Sequence, residues 1–311
     1  LSKINNFDIQ YRLKIMNVTF RQLRLLVALD EHQSITAAAQ ACHVTQPTVS
    51  MQLQALSDSV GLPLYEQVGK RLFLTEAGHT LVRTARSLQD EWGAFEQTID
   101  AMKGLKRGRL RLAVVSTAKY FVPGVLGRFC EQHPEVDIAL ELLNRDAVVA
   151  RLRENLDDLY IMSMPPSDMA LERHAFLANP LVVIAATDHP LVGRRRLRLS
   201  ALAGERFIMR EAGSGTRLAC DAHFKAHGFE PQVRLALGSN EAIKELVAEG
   251  MGLAVMSRHA LAHHPEPDRV AELDVQGFPV PSSWWTLYPQ GKRLSPLAQA
   301  FLNHLGADAA P

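Results

Sequence analysis

Between Ser34 and Leu56 the sequence SITAAAQACHVTQPTVSMQLQAL carries two short apolar periods with room between them only for a tight turn. Ile35, Ala38, Ala39 and Cys42 recur at helical spacing, and Val49, Leu53 and Leu56 fall on one face of a second run. The pattern predicts two helices joined at His43 and Val44, a helix-turn-helix. Thr45 stands where the N-cap of the second helix belongs, and its hydroxyl is expected to accept a first-turn N–H. Pro47 costs that turn nothing, because its N–H would lack an intrahelical partner anyway. Two ordinary amphipathic helices would satisfy the same periodicity. The polar face of the second one, with Gln46, Thr48, Ser50, Gln52 and Gln54, nevertheless puts amides and hydroxyls at its N-terminal end, the end that a helix in a major groove turns to base edges.

The flanking sequence extends this unit. Thr19 to Glu31 reads as a buttressing helix with Phe20, Leu23, Leu26, Val27 and Leu29 as its apolar stripe. After Gly61 and Pro63 end the second helix, LYEQVGKRLFLT reads as two short strands around Gly69, with Lys70 and Arg71 at the tip within reach of phosphates or a minor groove. Thr75 and Glu76 then open a helix to about Lys103. In it Leu81, Ala85, Leu88, Trp92, Phe95, Ile99 and Met102 alternate by four and three residues, the period of a coiled-coil dimer seam.

Beyond a break at Gly104 to Gly108 the chain changes character. Strand and helix patterns alternate through RLRLAVVS, YFVPGVLGRFCEQHP, VDIALELL, DAVVARLREN and DDLYIMS. A second set runs from PLVVIAA through LSALAG, RFIMRE, TRLACDAHFKAHG, VRLALGS, NEAIKELVAEG and GLAVMS, and WWTLY with SPLAQAFLNHL closes the chain. The expected fold class is α/β behind an all-α, winged N-terminal domain. The boundaries are an extension at 1–16, the winged domain at 17–75, a linker helix and hinge at 76–107, and a ligand-binding region at 108–311. Its subdomain I takes 108–178 and 281–311, and its subdomain II takes 179–280.

A chain of 311 residues accommodates such a plan, and its 47% hydrophobic and 22% charged content is that of a globular protein. Cys42, Cys130 and Cys220 are too far apart for a C-x-x-C pair, so neither a disulfide framework nor a zinc site is expected. The longest apolar run, Leu181 to Ala186, falls far short of the roughly 18 residues that a membrane helix requires, and the reading is a cytoplasmic protein. The first fifteen residues lack the apolar core of a signal peptide and are expected to be a peripheral extension ahead of Met16. Charge is the unexpected quantity. Residues 17–75 balance Arg21, Arg24, Lys70 and Arg71 against Asp30, Glu31, Asp58 and Glu66, so the proposed nucleic-acid domain is formally neutral and leans on several copies acting together.

The run AAAQACHVTQPTVSMQLQALSDSVGLPLYE with the downstream KRLFLTEAG resembles the winged helix-turn-helix of LysR-type transcriptional regulators, and the similarity continues to the C-terminus. The resemblance implies a periplasmic-binding-protein-like effector region and a linker coiled coil. It further implies a homodimer assembled to a homotetramer, promoter DNA and a small-molecule effector as partners, RNA polymerase as a further partner, no cofactor, no membrane and no enzymatic activity. The expected DNA contacts are Ser34, Thr36, Thr45, Gln46, Pro47, Thr48, Ser50, Gln52, Lys70 and Arg71. Two departures thin that set: Gln67 stands where many members have arginine, and Met51 where they have another basic residue. DLYIMSMPP at Asp158 and REAGSGTR at Arg210 look most similar to activators of Calvin-cycle operons encoding RubisCO, which implies phosphorylated sugars, phosphoenolpyruvate or NADPH as effector. An aromatic carboxylate is the alternative within the family.

In open α/β sheets ligands lie at the carboxyl ends of strands and the N-termini of the helices that follow. Three segments meet that rule: Ser116 and Thr117 after the first strand, Asn144 and Arg145 after the second, and Ser214, Gly215, Thr216 and Arg217 between RFIMRE and its helix. Glycines let a ligand approach the backbone, hydroxyls and first-turn N–H groups donate, and an arginine fork suits phosphate or carboxylate. A capped turn with a surface arginine would also explain GSGTR. No H-E-x-x-H, Walker loop or G-x-S-x-G occurs, and the paired His263 and His264 make no convincing metal site. A phosphate-handling enzyme fused to a helix-turn-helix is the rival from another class.

Overall fold

The computed structural model describes residues 17–68, 71–102, 107–262 and 269–308. The expected extension at 1–16, Lys70, most of the Gly104 to Gly108 break, and His263 with His264 lie outside the described residues. The chain falls into two compact units, Leu1–Gly93 and Ala94–Pro311.

The N-terminal unit holds α1 (Phe20–His32), α2 (Ile35–Ala41), α3 (Gln46–Val60), an antiparallel hairpin of β1 (Tyr65–Val68) and β2 (Arg71–Leu74), and the start of α4 (Glu76–Met102). A capping box fixes α1: the Gln22 N–H donates to the Thr19 hydroxyl at 3.2 Å, and the Thr19 N–H donates back to Gln22 Oε1 at 2.9 Å. The apolar stripes of α1 and α3 meet in a core of Leu23, Leu26, Val49, Leu53 and Leu56. Gly78 lets α4 start hard against this core, since a Cβ there would lie 2.0 Å from the Leu64 carbonyl oxygen. Two expectations change. Thr45 occupies the N-cap position, but its hydroxyl makes no cap bond and lies 2.8 Å from the Thr48 hydroxyl instead. Ala85 and Leu81, expected in the dimer seam, pack on the unit's own core, because the first turns of α4 are needed to close it. Of the remaining seam, Leu88, Trp92 and Phe95 are exposed, Ile99 is half-buried, and the Met102 side chain lies outside the described set.

The second unit contains two five-stranded sheets. The first is ordered β4-β3-β5-β12-β6, built from β3 (Arg107–Val115), β4 (Glu135–Leu143), β5 (Leu159–Met162), β6 (Leu171–Ala178) and β12 (Ser283–Pro289). The second is ordered β11-β7-β10-β8-β9, from β7 (Leu181–Ala186), β8 (Arg206–Arg210), β9 (Gln232–Leu237), β10 (Leu253–Ser257) and β11 (Val270–Leu273). Helices α5 (Val122–Gln132), α6 (Arg145–Arg153) and α10 (Pro296–Asp308) belong to the first; α7 (Gly215–Ala226), α8 (Asn240–Ala248) and the short α9 (Arg258–Leu261) belong to the second. The continuous apolar run of β7 is explained by burial on both faces: Leu181, Val183 and Ala185 enter one core cluster, Val182 and Ile184 another.

The sheets are mixed, where repeated βαβ units would be wholly parallel. β12 runs antiparallel to β5 and β6, and β7 antiparallel to β10 and β11. β6 and β11 are strands that periodicity does not single out; the first is an edge strand with irregular burial and the second spans four residues. LSALAG, expected as a helix, is a 3₁₀ turn at Leu199–Leu202, and Ser116–Tyr120 is another, so the helix expected from Tyr120 begins at Val122. The chain crosses between subdomains along two segments that lie side by side. The Asn179 N–H donates to the Ser282 carbonyl at 2.8 Å, and Leu181 and Val280 exchange backbone bonds of 3.0 and 2.9 Å.

Candidate functional site

The N-terminal unit offers one polar edge. Gln46, Pro47 and Thr36 are exposed, and the Thr36 hydroxyl reaches Gln46 Oε1 at 3.4 Å, so α2 and the start of α3 present a continuous strip of hydroxyls and amides. Thr45 is also exposed, while Thr48, Ser50 and Gln52 are half-buried beside it. The Ser34 hydroxyl caps α2, accepting the Ala37 N–H at 3.4 Å. Met51 is 64% exposed at the centre of this face and puts a thioether where a cation is usual. Arg71 opens β2 opposite Val68; its side chain is not among those described.

In the second unit the carboxyl ends of β3, β5 and β8 converge with the first turns of α6 and α7 on a narrow cleft. Its walls are Val115, Ser116, Thr117, Met162, Ser163 and Met164 from one subdomain with Arg145, and Arg210, Ser214, Gly215 and Thr216 from the other. Six of the eight expected ligand residues are thus brought together. Asn144 and Arg217 fall outside the lining. The Asn144 side chain caps α6, accepting the Ala147 N–H at 2.9 Å. The Arg217 guanidinium turns back to Asp221 at 2.8 Å and to the Arg210 carbonyl at 3.2 Å.

Arg210 is the residue that local sequence reading passes over. Only 3% exposed, it closes β8 and sits between Glu211, which accepts from Nε and Nη2 at 2.7 and 2.8 Å, and Asn240, whose Oδ1 accepts from Nη1 at 3.0 Å. Its signal is an arginine ending an apolar strand, as Ser163 ends LYIM in the way Ser116 ends β3. Arg145 donates from Nε to the Met164 carbonyl at 2.9 Å, which holds its plane across the cleft floor. Close approach is built in at Gly215, where a Cβ would lie 2.8 Å from Ser163 Oγ. Gly213 adopts φ +84 beside the Asp146 carboxylate, a backbone state that glycine enters freely.

Two guanidiniums, three serines, two threonines and the start of α7 therefore face one space with no carboxylate in its lining. The Ser214 hydroxyl caps α7 by accepting the Arg217 N–H at 3.1 Å, while the first-turn N–H groups ahead of it are those a helix leaves for an external acceptor. Such a site suits a small anion. It is poorly equipped for hydrolysis, since no imidazole or carboxylate among the lining residues stands ready to activate a serine. Among the described residues no group of three His, Cys, Asp or Glu is placed to hold a metal ion.

A clasp joins the subdomains beside the cleft. Glu241, in the first turn of α8, accepts from the Tyr120 hydroxyl at 2.6 Å and from the Lys119 ammonium at 2.9 Å. Burial works to raise this carboxyl, but hydrogen bonds from Tyr120 and Lys119 outweigh it and hold Glu241 at about 2. Tyr120 is pushed above its ordinary value by burial and by its bond to Glu241. Lys244 is depressed by burial; its ammonium donates to the Ala260 carbonyl at 2.9 Å and lies 5.5 Å from the Tyr120 ring centroid.

Comparison with known proteins agrees with this division. Residues 20–79 match the family model for bacterial regulatory helix-turn-helix proteins of the lysR family, and residues 103–310 match the LysR substrate binding domain. The chain is 42% identical over 298 residues to a RuBisCO operon transcriptional regulator of Acidithiobacillus ferrooxidans, covering 96% of each. It is 42% identical to the HTH-type transcriptional activator CmpR of Synechocystis, covering 94% of this chain and 96% of that one. Among solved structures, the regulatory domain of Synechocystis CcmR in complex with 2-PG is 47% identical, with a TM-score of 0.62 over 64% of this chain and 96% of that domain.

Proposed function

The chain belongs to the LysR family of bacterial transcriptional regulators, and we propose that it activates carbon-fixation genes, the RubisCO operon among them, in response to a phosphorylated anion held in the cleft. A DNA-binding regulator and not an enzyme, it joins two chemistries in one chain. The observation that carries the effector class is the lining itself: two arginines and a helix start around hydroxyls with no carboxylate among them, Glu211 being engaged by Arg210 and Asp146 lying 3.8 Å from Arg145. We assign Ser116, Thr117, Arg145, Ser214, Gly215 and Thr216 to effector contact, and add Arg210 and Ser163. The 2-PG bound by the CcmR domain, 2-phosphoglycolate, is the first candidate. Leu88, Trp92 and Phe95 on α4 form the seam of a homodimer, assembled to a tetramer on promoter DNA, with RNA polymerase as a further partner. Among the described residues no helix is long and apolar enough to cross a membrane. A partner that is promoter DNA supports a cytoplasmic location.

The test is calorimetric titration of the full-length protein with 2-phosphoglycolate, phosphoenolpyruvate, NADPH and benzoate, repeated on Arg210→Met. A phosphorylated ligand should bind, and the variant should weaken it by about 1.5–3 kcal/mol, the range for hydrogen bonds to charged groups. Tight binding of benzoate alone would replace the phosphate reading with a carboxylate one. Footprinting on the RubisCO promoter with and without the bound ligand tests the choice of operon.

A further inference from the structure

The sequence GRRRLR places Arg194, Arg195, Arg196 and Arg198 within five residues of one loop, and all four side chains are exposed. Among the described residues none of the four guanidiniums has an ion-pair or hydrogen-bond partner. The nearby acid Asp274 is engaged by backbone instead, its carboxylate accepting the Arg196 N–H at 3.0 Å. Four uncompensated cations in one short segment repel one another, so their concentration is unfavourable unless an anionic surface meets them.

The loop is held from both sides. The Leu197 N–H donates to the Asp274 carbonyl and the Gln276 N–H to the Leu197 carbonyl, each at 2.8 Å, and Gln276 Nε2 donates to the Arg196 carbonyl at 3.1 Å. Leu191 and Leu197 are buried beneath it. Arg196 adopts φ +51, a left-handed conformation that glycine or asparagine would enter more cheaply. The cations thus stand on a fixed backbone, so engaging them orders their side chains but costs little backbone entropy.

Strand direction gives its place. β8 points its carboxyl end, Arg210, at the cleft; β10 runs parallel to β8, and β7 antiparallel to β10. The chain turns back after β7: Leu197 bridges Val275 in parallel, two residues past the Leu273–Val183 pair, so the loop lies beside the continuation of β11, level with the start of β7 and separated from β8 by β7 and β10. None of its four arginines lines the cleft.

We propose that this arginine loop is a second DNA-contacting surface of the regulator, binding the phosphate backbone of duplex DNA. Duplex DNA is the polyanion that a member of this family meets. The N-terminal domain balances four cations with four carboxylates over residues 17–75, so it has no net attraction for phosphates beyond the wing contacts, and cations elsewhere in the chain add to it directly. The patch also lacks what a protein interface requires at its centre, because Leu191 and Leu197 are buried, Val192 and Leu199 are half-buried against the core, and the exposed side chains among them are the charged ones. Contacts of this kind add affinity and fix the path of the DNA without reading bases.

The experiment measures binding of the full-length protein to a long promoter duplex across salt concentrations. The protein carries Arg194→Gln, Arg195→Gln, Arg196→Asn and Arg198→Gln; a second variant carries lysine at all four positions. Each lost phosphate contact flattens the slope of log K against log salt by about 0.9, so loss of two to four contacts per protomer flattens it by roughly two to four units for each protomer engaged. Base preference should be unchanged, the lysine variant should retain the wild-type slope, and both should unfold at the wild-type temperature. An unchanged slope in the Gln/Asn variant overturns the proposal. If that variant also fails to support transcription, the loop instead faces an acidic protein surface. Equal flattening in the lysine variant overturns it as well, since charge would then not be the cause.

Discussion

Two helices of this protein begin with a hydroxyl residue at the N-cap and offer their first turn to a partner, and they are built in opposite ways. At the start of α3 the Thr45 hydroxyl pairs with that of Thr48, and Gln46 and Pro47 lie open on a convex edge. At the start of α7 the Ser214 hydroxyl completes the cap, and Ser214 and Thr216 are 5% and 6% exposed in a concave wall. The first keeps its polar groups hydrated until a large surface displaces the water. In the proposed role its contacts are individually weak, and they distinguish one base pair from another. The second has its donors fixed before the ligand arrives and partly removed from water, where a charge-assisted bond is stronger. A helix start serves a macromolecule or a metabolite according to the curvature and burial around it.

The sharpest way to break this contrast removes the assembly that only the convex site depends on. Leu88→Asp with Phe95→Asp puts unpaired charges into the proposed seam. Sedimentation should show a monomer, operator affinity should fall by orders of magnitude, and effector affinity should stay within about twofold. An intact dimer with normal operator affinity would remove the seam from α4. Next in size is an exchange of single side chains. Gln46→Ala should cost about 1–3 kcal/mol at one base pair and relax preference there, leaving the effector midpoint alone. Thr216→Val should weaken the effector by about 0.5–1.5 kcal/mol and leave operator binding without effector unchanged. Binding-site selection and effector titration on both variants would expose any crossover. If either variant moved both quantities alike, the two helix starts would not be separable.

The smallest effect sharpens the concave side. Glu241 sits at about 2 in the folded protein against 4.5 for the free carboxyl. Its contribution to stability is therefore complete above pH 4.5 and is lost as pH falls from 4.5 toward 2. Glu241→Gln should flatten that part of the acid unfolding profile, measured by thermal midpoints from pH 7 to pH 3. The change is modest, because the carboxylate is 47% exposed and solvent screens its pairing with Lys119.

What could be read from the residues follows the distance over which each feature is decided. The helix-turn-helix, the wing hairpin and the long helix are set by neighbours within a few positions, and their bounds emerge nearly where the periodicity puts them. Arg217 was within reach of the same reasoning: Asp221 stands four residues on, the spacing of a helical ion pair, and takes the guanidinium away from the cleft. Arg210 was not, since its burial depends on Asn240 thirty residues later. β6 was hidden for a related reason. Its order comes from β12, more than a hundred residues downstream, and an edge strand has no need of a regular apolar face. Ala85 and Leu81 satisfy a coiled-coil period and a globular core equally well, and only packing against the winged domain decides between them.

The side-by-side crossing of the chain between the effector subdomains has a mechanical consequence. Two straps bonded to each other through Asn179 and Ser282, and through Leu181 and Val280, form a narrow ribbon. A ribbon of that kind flexes across its thin direction far more readily than it shears in its own plane, because shear would break the bonds between the straps while flexing keeps them. Relative motion of the subdomains is thereby reduced to something close to rotation about one axis. The binding of a metabolite in the proposed cleft would then be expressed as a single angle, so that metabolites of different shape would become comparable on one scale.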